Sequence, residues 1–124
     1  MGSIHPGSLT WEQVIERFRV AGYELVVDDE DGINMRGPIE EILVSPSSVS
    51  IRCSWLAVNT GSGWKLDPES PAGQHRFSFN REICSSILTN ADGTLSFRVQ
   101  YTGGVRLHPP GTIRPLEKPT LVAT

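Results

Sequence analysis

The stretch RGPIEEILVSPSSVSIRCSWLAV, Arg36 to Val58, decides the fold. In its second half Val49, Ile51, Cys53, Trp55 and Ala57 fall on one side of an extended chain, and Ser50, Arg52 and Ser54 on the other. A two-residue period of this kind marks a strand with one buried face. The first half alternates as well, but its phase slips: Ile39 continues the face of Ile33 and Met35, whereas Ile42 and Val44 occupy the opposite one. One extra residue at Glu40 or Glu41 repairs the register, so a β-bulge with a sharp bend is expected there. Gly37 and Pro38 beside it suit an edge or a corner of a sheet. The turn at Pro46 joins the halves, and the whole stretch reads as a wall of the fold.

Toward the N-terminus the pattern changes to a helical one. In LTWEQVIERFRVAGY, Thr10 and Gln13 are spaced as a capping box, and Leu9 and Val14 as a hydrophobic staple. Trp11, Val14, Ile15, Phe18 and Ala21 recur at steps of three and four, and Gly22 supplies a left-handed stop. An amphipathic helix over about 10–21 is expected, with its stripe facing a core.

On the C-terminal side the strand pattern returns at Phe77 and Phe79, at Ile83 and Ile87, at Leu95, Phe97, Val99 and Tyr101, and at Val105 and Leu107. Upstream, YELVVD enters a tight turn at Asp31-Gly32, and NADG, 90–93, links two later strands. The fold class is therefore mainly β (α+β): one N-terminal helix, then six or seven short antiparallel strands curled into a small barrel with the helix as a lid. Residues 59–74 form a long Gly-, Ser- and Pro-rich connection with a short strand around Trp64 to Leu66, a length at which loops are often functional. The chain reads as a single domain over 1–124, with a flexible start, 1–8, and a Pro-rich, partly ordered tail, 109–124.

Composition limits the function classes. The 124 residues hold twelve glycines and nine prolines, a turn-rich balance, and no apolar run approaches the length of a bilayer span. No secretory signal is visible, and two cysteines, Cys53 and Cys84, are too few for a disulfide scaffold. A cytoplasmic location is expected. Residues 1–69 carry eleven acids against five bases, and 70–124 carry three acids against six bases, an asymmetry that suits head-to-tail association or an anionic partner.

Motif by motif, catalytic and metal chemistry fall away. DDEDG, 28–32, fails as a calcium loop, because the register that places Gly32 correctly puts Val27 and Pro38 at ligand positions. SGWK, 62–65, lacks the companion motifs of serine-lysine enzymes, and TGSGWK lacks the glycine spacing of a phosphate-binding loop. His5, His75 and His108 have no acid or thiol at a telling distance, although folding can bring His75, Cys84 and Asp67 together. No catalytic residue, no metal site and no cofactor is expected.

The arginines are the candidate binding residues. With the apolar positions inward, Arg52, Arg76, Arg98 and Arg106 lie on the outer face among Ser54, Ser78, Ser96, Gln100 and His108. Guanidinium forks beside short hydroxyls suit phosphate or carboxylate groups, and Trp64 adds an aromatic platform. A helix followed by a bent antiparallel sheet resembles, in outline, the Sm-like RNA-binding barrels, and MRGPI, 35–39, is similar to the Arg-Gly step of their second motif. That resemblance covers only those residues and the order of elements; the step lies near the start of the sheet, and no matching first motif is present.

Two functions follow as expectations. The first is a non-enzymatic interaction module that binds a protein partner or copies of itself through strand edges near Gly37 and Gly103. The second is a barrel that binds an anionic ligand or single-stranded nucleic acid through Arg52, Arg76, Arg98, Arg106 and Trp64, a reading the acidic net charge disfavours.

Overall fold

The computed structural model describes residues 8–17, 22–30, 32–61, 63–66 and 75–119. Among them, ten strands join in one antiparallel sheet: β1 (Ser8–Leu9), β2 (Glu24–Asp29), β3 (Asn34–Val44), β4 (Ser48–Cys53), β5 (Ala57–Asn59), β6 (Trp64–Leu66), β7 (His75–Asn80), β8 (Ile87–Thr89), β9 (Leu95–Val99) and β10 (Gly103–His108). The main path runs β1-β8-β9-β10-β2-β3-β4-β7, with β5 and β6 added on β3. Its ends, β1 and β7, are not paired with each other. The sheet is strongly curled but open, so the closure of a barrel is not seen. Strands outnumber the expected six or seven because short pieces, such as β1 on β8, add to the ladder.

The bend lies where the slip in hydrophobic phase places it. Ile39 pairs with Cys53 but Glu41 with Arg52, so Glu40 is the extra residue of a bulge. Before it, β3 pairs with β2 and β5; after it, β3 pairs with β4. The bulge thus divides the sheet into two limbs that fold over one core, with Ile39 on one side of the bend and Ile42 on the other both buried.

Between the limbs sits the helix α1 (Trp11–Arg17). Its capping box is formed: Gln13 N–H donates to Thr10 Oγ1 at 3.1 Å, and Thr10 N–H to Gln13 Oε1 at 2.9 Å. The Trp11 ring packs on Phe79 of β7 and Phe97 of β9, with centroids 5.6 and 5.0 Å away, so one side chain ties both limbs. Arg81, in a 3₁₀ turn after β7, chelates the Glu12 carboxylate and donates to the Ser45 carbonyl, fixing the helix to the β3–β4 turn. That guanidinium holds the Glu12 carboxyl below the usual carboxylate range by hydrogen bonding. Phe18 and Ala21 of the expected stripe lie outside the described residues, and Ile15, expected inward, is 45% exposed.

Parity along β4 holds: Val49, Ile51 and Cys53 are buried, and Arg52 is half-exposed. It fails at two places where the chain leaves the ladder. After Cys53 the backbone steps out, so Leu56 enters the core while Ala57 takes the rung of Arg36 on the other face, and Trp55 is only half-buried. Tyr101, expected inside with Val99, belongs to the reversing turn after β9, has φ 69° and is 83% exposed.

The two glycines expected at free edges are interior. A Cβ on Gly37 would lie 2.1 Å from the Trp55 carbonyl oxygen, and one on Gly103 would lie 2.2 Å from that of Asp28. Both residues are there because another backbone passes within contact, the second reason a strand takes a glycine. Residues 1–7 of the expected flexible start, 67–74 of the long connection and 120–124 of the tail lie outside the described residues.

Candidate binding surface

The five candidate residues do not form one surface. Arg52 and Arg76 stand directly opposite each other on β4 and β7, on the outer face of the limb beyond the bulge. Arg98 and Arg106 lie on the outer face of the other limb, on β9 and β10. Trp64 is half-buried on β6, where the Arg36 guanidinium lies over its ring at 5.9 Å from the centroid. Trp64 is therefore part of a structural contact and not an open stacking platform.

Arg36 was not among the candidates, yet it is the hub of that region. Its Nε donates to Glu24 Oε2 at 2.7 Å, its Nη2 contacts the same oxygen, and Nη2 also donates to the Arg114 carbonyl at 2.7 Å. The Arg-Gly step quoted from the sequence thus anchors the chain beyond β10 to the sheet. The even position of Arg36 in β3, opposite Val26, was the only sign in the sequence that it faces outward.

Three shallow hollows lie in a row on the outer side of β9, adjoining at Arg98 and at Arg106, and together form a trough. Its middle, about 370 Å³, is walled by Arg98 and Arg106 and rimmed by the hydroxyls of Ser85, Ser86 and Ser96 and by Leu88. One end, about 380 Å³, shares Arg106 and reaches Asn90, Asp92, Thr94 and His108. The other, about 540 Å³, shares Ser85 and Arg98 and reaches Glu30, Glu82 and Tyr101. The hollow has a simple origin. Arg98 pairs across the ladder with Gly104, and Arg106 with Ser96, so each long side chain faces a small one. A Cβ on Gly104 would meet nothing within 4 Å.

Charges along the trough come in opposed pairs. Arg98 Nη2 is 2.8 Å from Glu30 Oε1, and Arg106 Nη2 is 3.0 Å from Asp28 Oδ2. Each pair is one contact from one guanidinium nitrogen and is open to solvent, so each is weak and exchangeable. Asp28, near the end of β2, and Glu30, just beyond it, are the partners of these arginines, and Gly32 before β3 has φ 84°. Arg52 is held by two acids, its Nη1 lying 3.5 Å from Glu40 and its Nη2 3.1 Å from Glu41.

Of the thiols, Cys53 has a histidine as its cross-strand neighbour and Cys84 does not. His75 opens β7 opposite Cys53, whereas Cys84 follows the far end of that strand and bridges to Val99. Six residues of strand, roughly 20 Å, separate the two ends. His75 and Cys84 are therefore not brought together, and Asp67 lies outside the described residues. Burial, reinforced by Glu40 and Glu24, pushes the Cys53 thiol up to about 12, which leaves it protonated and unreactive at neutral pH. Burial also raises the Cys84 thiol. Among the described residues no group of three or more His, Cys, Asp or Glu is placed to hold a metal ion, and no helix is long and apolar enough to cross a membrane.

No protein-family model matches the chain, and neither the curated proteins nor the solved structures contain a significant match to it.

Proposed function

We propose that this chain is a non-enzymatic interaction module that holds an extended segment of a protein partner in the trough along β9. The observation that carries the reading is the trough itself, a groove the length of a strand, walled by pairs of opposite charge. An extended peptide offers side chains of either sign at alternate positions and backbone groups for the serine hydroxyls. A polyanion fits less well. Asp28, Glu30, Glu82 and Asp92 outnumber Arg98 and Arg106 along the lining, and Arg52, Arg76 and Trp64, needed for the nucleic-acid alternative, are elsewhere. Cytoplasmic residence belongs to the same proposal and is supported by the unpaired thiols of Cys53 and Cys84. The reading does not depend on closure of the sheet into a barrel.

Gly104→Val is the test. The valine fills the middle of the trough from a position with open space and suits a strand, so folding is preserved. Peptides selected on the wild-type protein from a random displayed library should shift the amide resonances of Ser96, Arg98 and Gly104, and should not bind the variant. Peptides that bind both proteins equally, or a library that yields none, would remove the proposal. A fluorescent single-stranded oligonucleotide should give no anisotropy change at low salt; tight, steeply salt-dependent binding would hand the site to the anionic reading. Light scattering at two salt concentrations separates a foreign partner from a second copy.

A further inference from the structure

His108 closes β10 on the outer face of the sheet, on the rung of Glu24, yet it is only 7% exposed. Its cover is the turn that follows. Thr112 N–H and Thr112 Oγ1 both donate to the Pro109 carbonyl, at 3.2 and 2.7 Å. The Pro109 ring lies beside Gly93 and the Pro110 ring beside Gly22, close enough that a Cβ on either glycine would touch it. Two residues past the turn, the Arg114 carbonyl is held by Arg36. The segment from Pro109 to Arg114 is thus a strap laid over the imidazole.

We propose that this strap is a pH-sensitive cover latched by neutral His108, and that protonation of the imidazole releases it. The inference stands on these contacts whatever the trough binds. Nδ1 lies 3.2 Å from Thr112 Oγ1 and 3.4 Å from Thr94 Oγ1, and Nε2 is buried without a partner. Because the Thr112 hydroxyl spends its hydrogen on Pro109, its lone pair faces Nδ1; Nδ1–H donates and Nε2 is a bare acceptor. Adding a proton creates a charged N–H at Nε2, an atom that is buried and has no acceptor among the described residues.

The charged neighbours do not remove that cost. Arg106 on β10 and Arg36 on β3 oppose the proton, while Asp92 in the β8–β9 turn and Glu24 on β2 favour it. The strap contributes the Thr112 hydroxyl. Burial is the largest effect, and the balance holds the imidazole below its ordinary range. The imidazolium must gain hydration, and the easier route is through the strap: β10 is bonded to β2 through His108 and to β9 through Leu107, whereas the strap is held by one turn, two proline contacts and one carbonyl.

Amide hydrogen exchange from about pH 7.5 to about pH 5, corrected for the intrinsic rate, reads the release directly. In the wild-type protein, protection of Thr112 should fall about tenfold or more across that window, while Val105 and Leu107 keep theirs. His108→Gln, which retains a hydrogen-bonding group without titrating there, should show no such fall. Strap protection that is flat with pH in the wild type, or that falls equally in His108→Gln, overturns the proposal. Should the variant fail to fold, the His108 ring-proton NMR titration decides: a midpoint below that of a free imidazole supports the latch, and one at or above it defeats the latch.

Discussion

The outer faces of the two limbs use the same residues, arginine and serine at alternate positions, and one of them, the β9–β10 face, is hollow. On β4 and β7, Arg52 faces Arg76 and Ser50 faces Ser78, so these two outer rungs carry the same residue on both strands. The two serine hydroxyls bond each other at 3.0 Å. On β9 and β10 the large residues face the small ones, and the space above Gly104 and Ser96 is left over. Register, not composition, makes the trough. A shift of two residues in the β9–β10 pairing would set Arg98 against Arg106 and flatten the surface.

The largest test of this comparison is the side chain that joins the limbs. Trp11 is 4% exposed and touches a ring on each limb. Trp11→Ala should cost about 3–5 kcal/mol in urea unfolding, because it removes aromatic packing and leaves a cavity between Phe79 and Phe97. A loss under about 1 kcal/mol would mean that the limbs are held together elsewhere.

Next in size is the placement of β10, whose Gly104 lines the trough. Gly103 has φ 135° and sits against the Asp28 carbonyl, and neither backbone can yield, since both belong to the β10–β2 ladder. Gly103→Ala should cost about 2–3 kcal/mol, whereas Gly104→Val, one residue on, should stay within about 0.5 kcal/mol. Equal effects at the two positions would break the account of how β10 is placed.

What was legible in the sequence follows the range of the interaction. The bulge at Glu40, the Thr10–Gln13 cap and the turn at Gly93 are set by residues close along the chain, and each leaves a local pattern. The trough depends on contacts between Arg98 and Glu30 and between Arg106 and Asp28, separated by 68 and 78 residues, and on which residue Gly104 faces. No local pattern encodes that. Gly37 and Gly103 were misread for a related reason: a glycine signals close approach or freedom, and the approaching backbone belongs to a distant segment. Tyr101 was misplaced, and Ala57, buried as expected, shares the face of Arg36, because alternation carries no information once the chain leaves its ladder.

A smaller effect is expected at the strap. His108 has a lowered pKa in the folded protein, so between that value and the ordinary one near about 6.5 the unfolded chain binds more protons. Stability should therefore be highest above the ordinary value and decline as pH falls through the window toward the folded pKa. His108→Gln should flatten this segment of the stability–pH curve. Glu12 and Asp92, whose carboxyls are lowered by hydrogen bonds from Arg81 and Thr94, act further down, below the ordinary carboxylate range. A wild-type curve that is level from neutral pH down to the carboxylate range would contradict the sign.

The smallest stability effects should fall on the arginines themselves, and there the two faces separate by function. Arg52→Gln and Arg98→Gln each break exposed ion pairs, with Arg52 at 33% and Arg98 at 66% side-chain exposure, so each should change stability by no more than about 0.5 kcal/mol. Peptides that occupy the trough should nevertheless lose affinity for Arg98→Gln and keep it for Arg52→Gln, because only the first arginine walls the groove. If the two variants bind alike, the hollow along β9 is only a gap left by unequal side chains, and the comparison that opened on the two faces would describe packing without function.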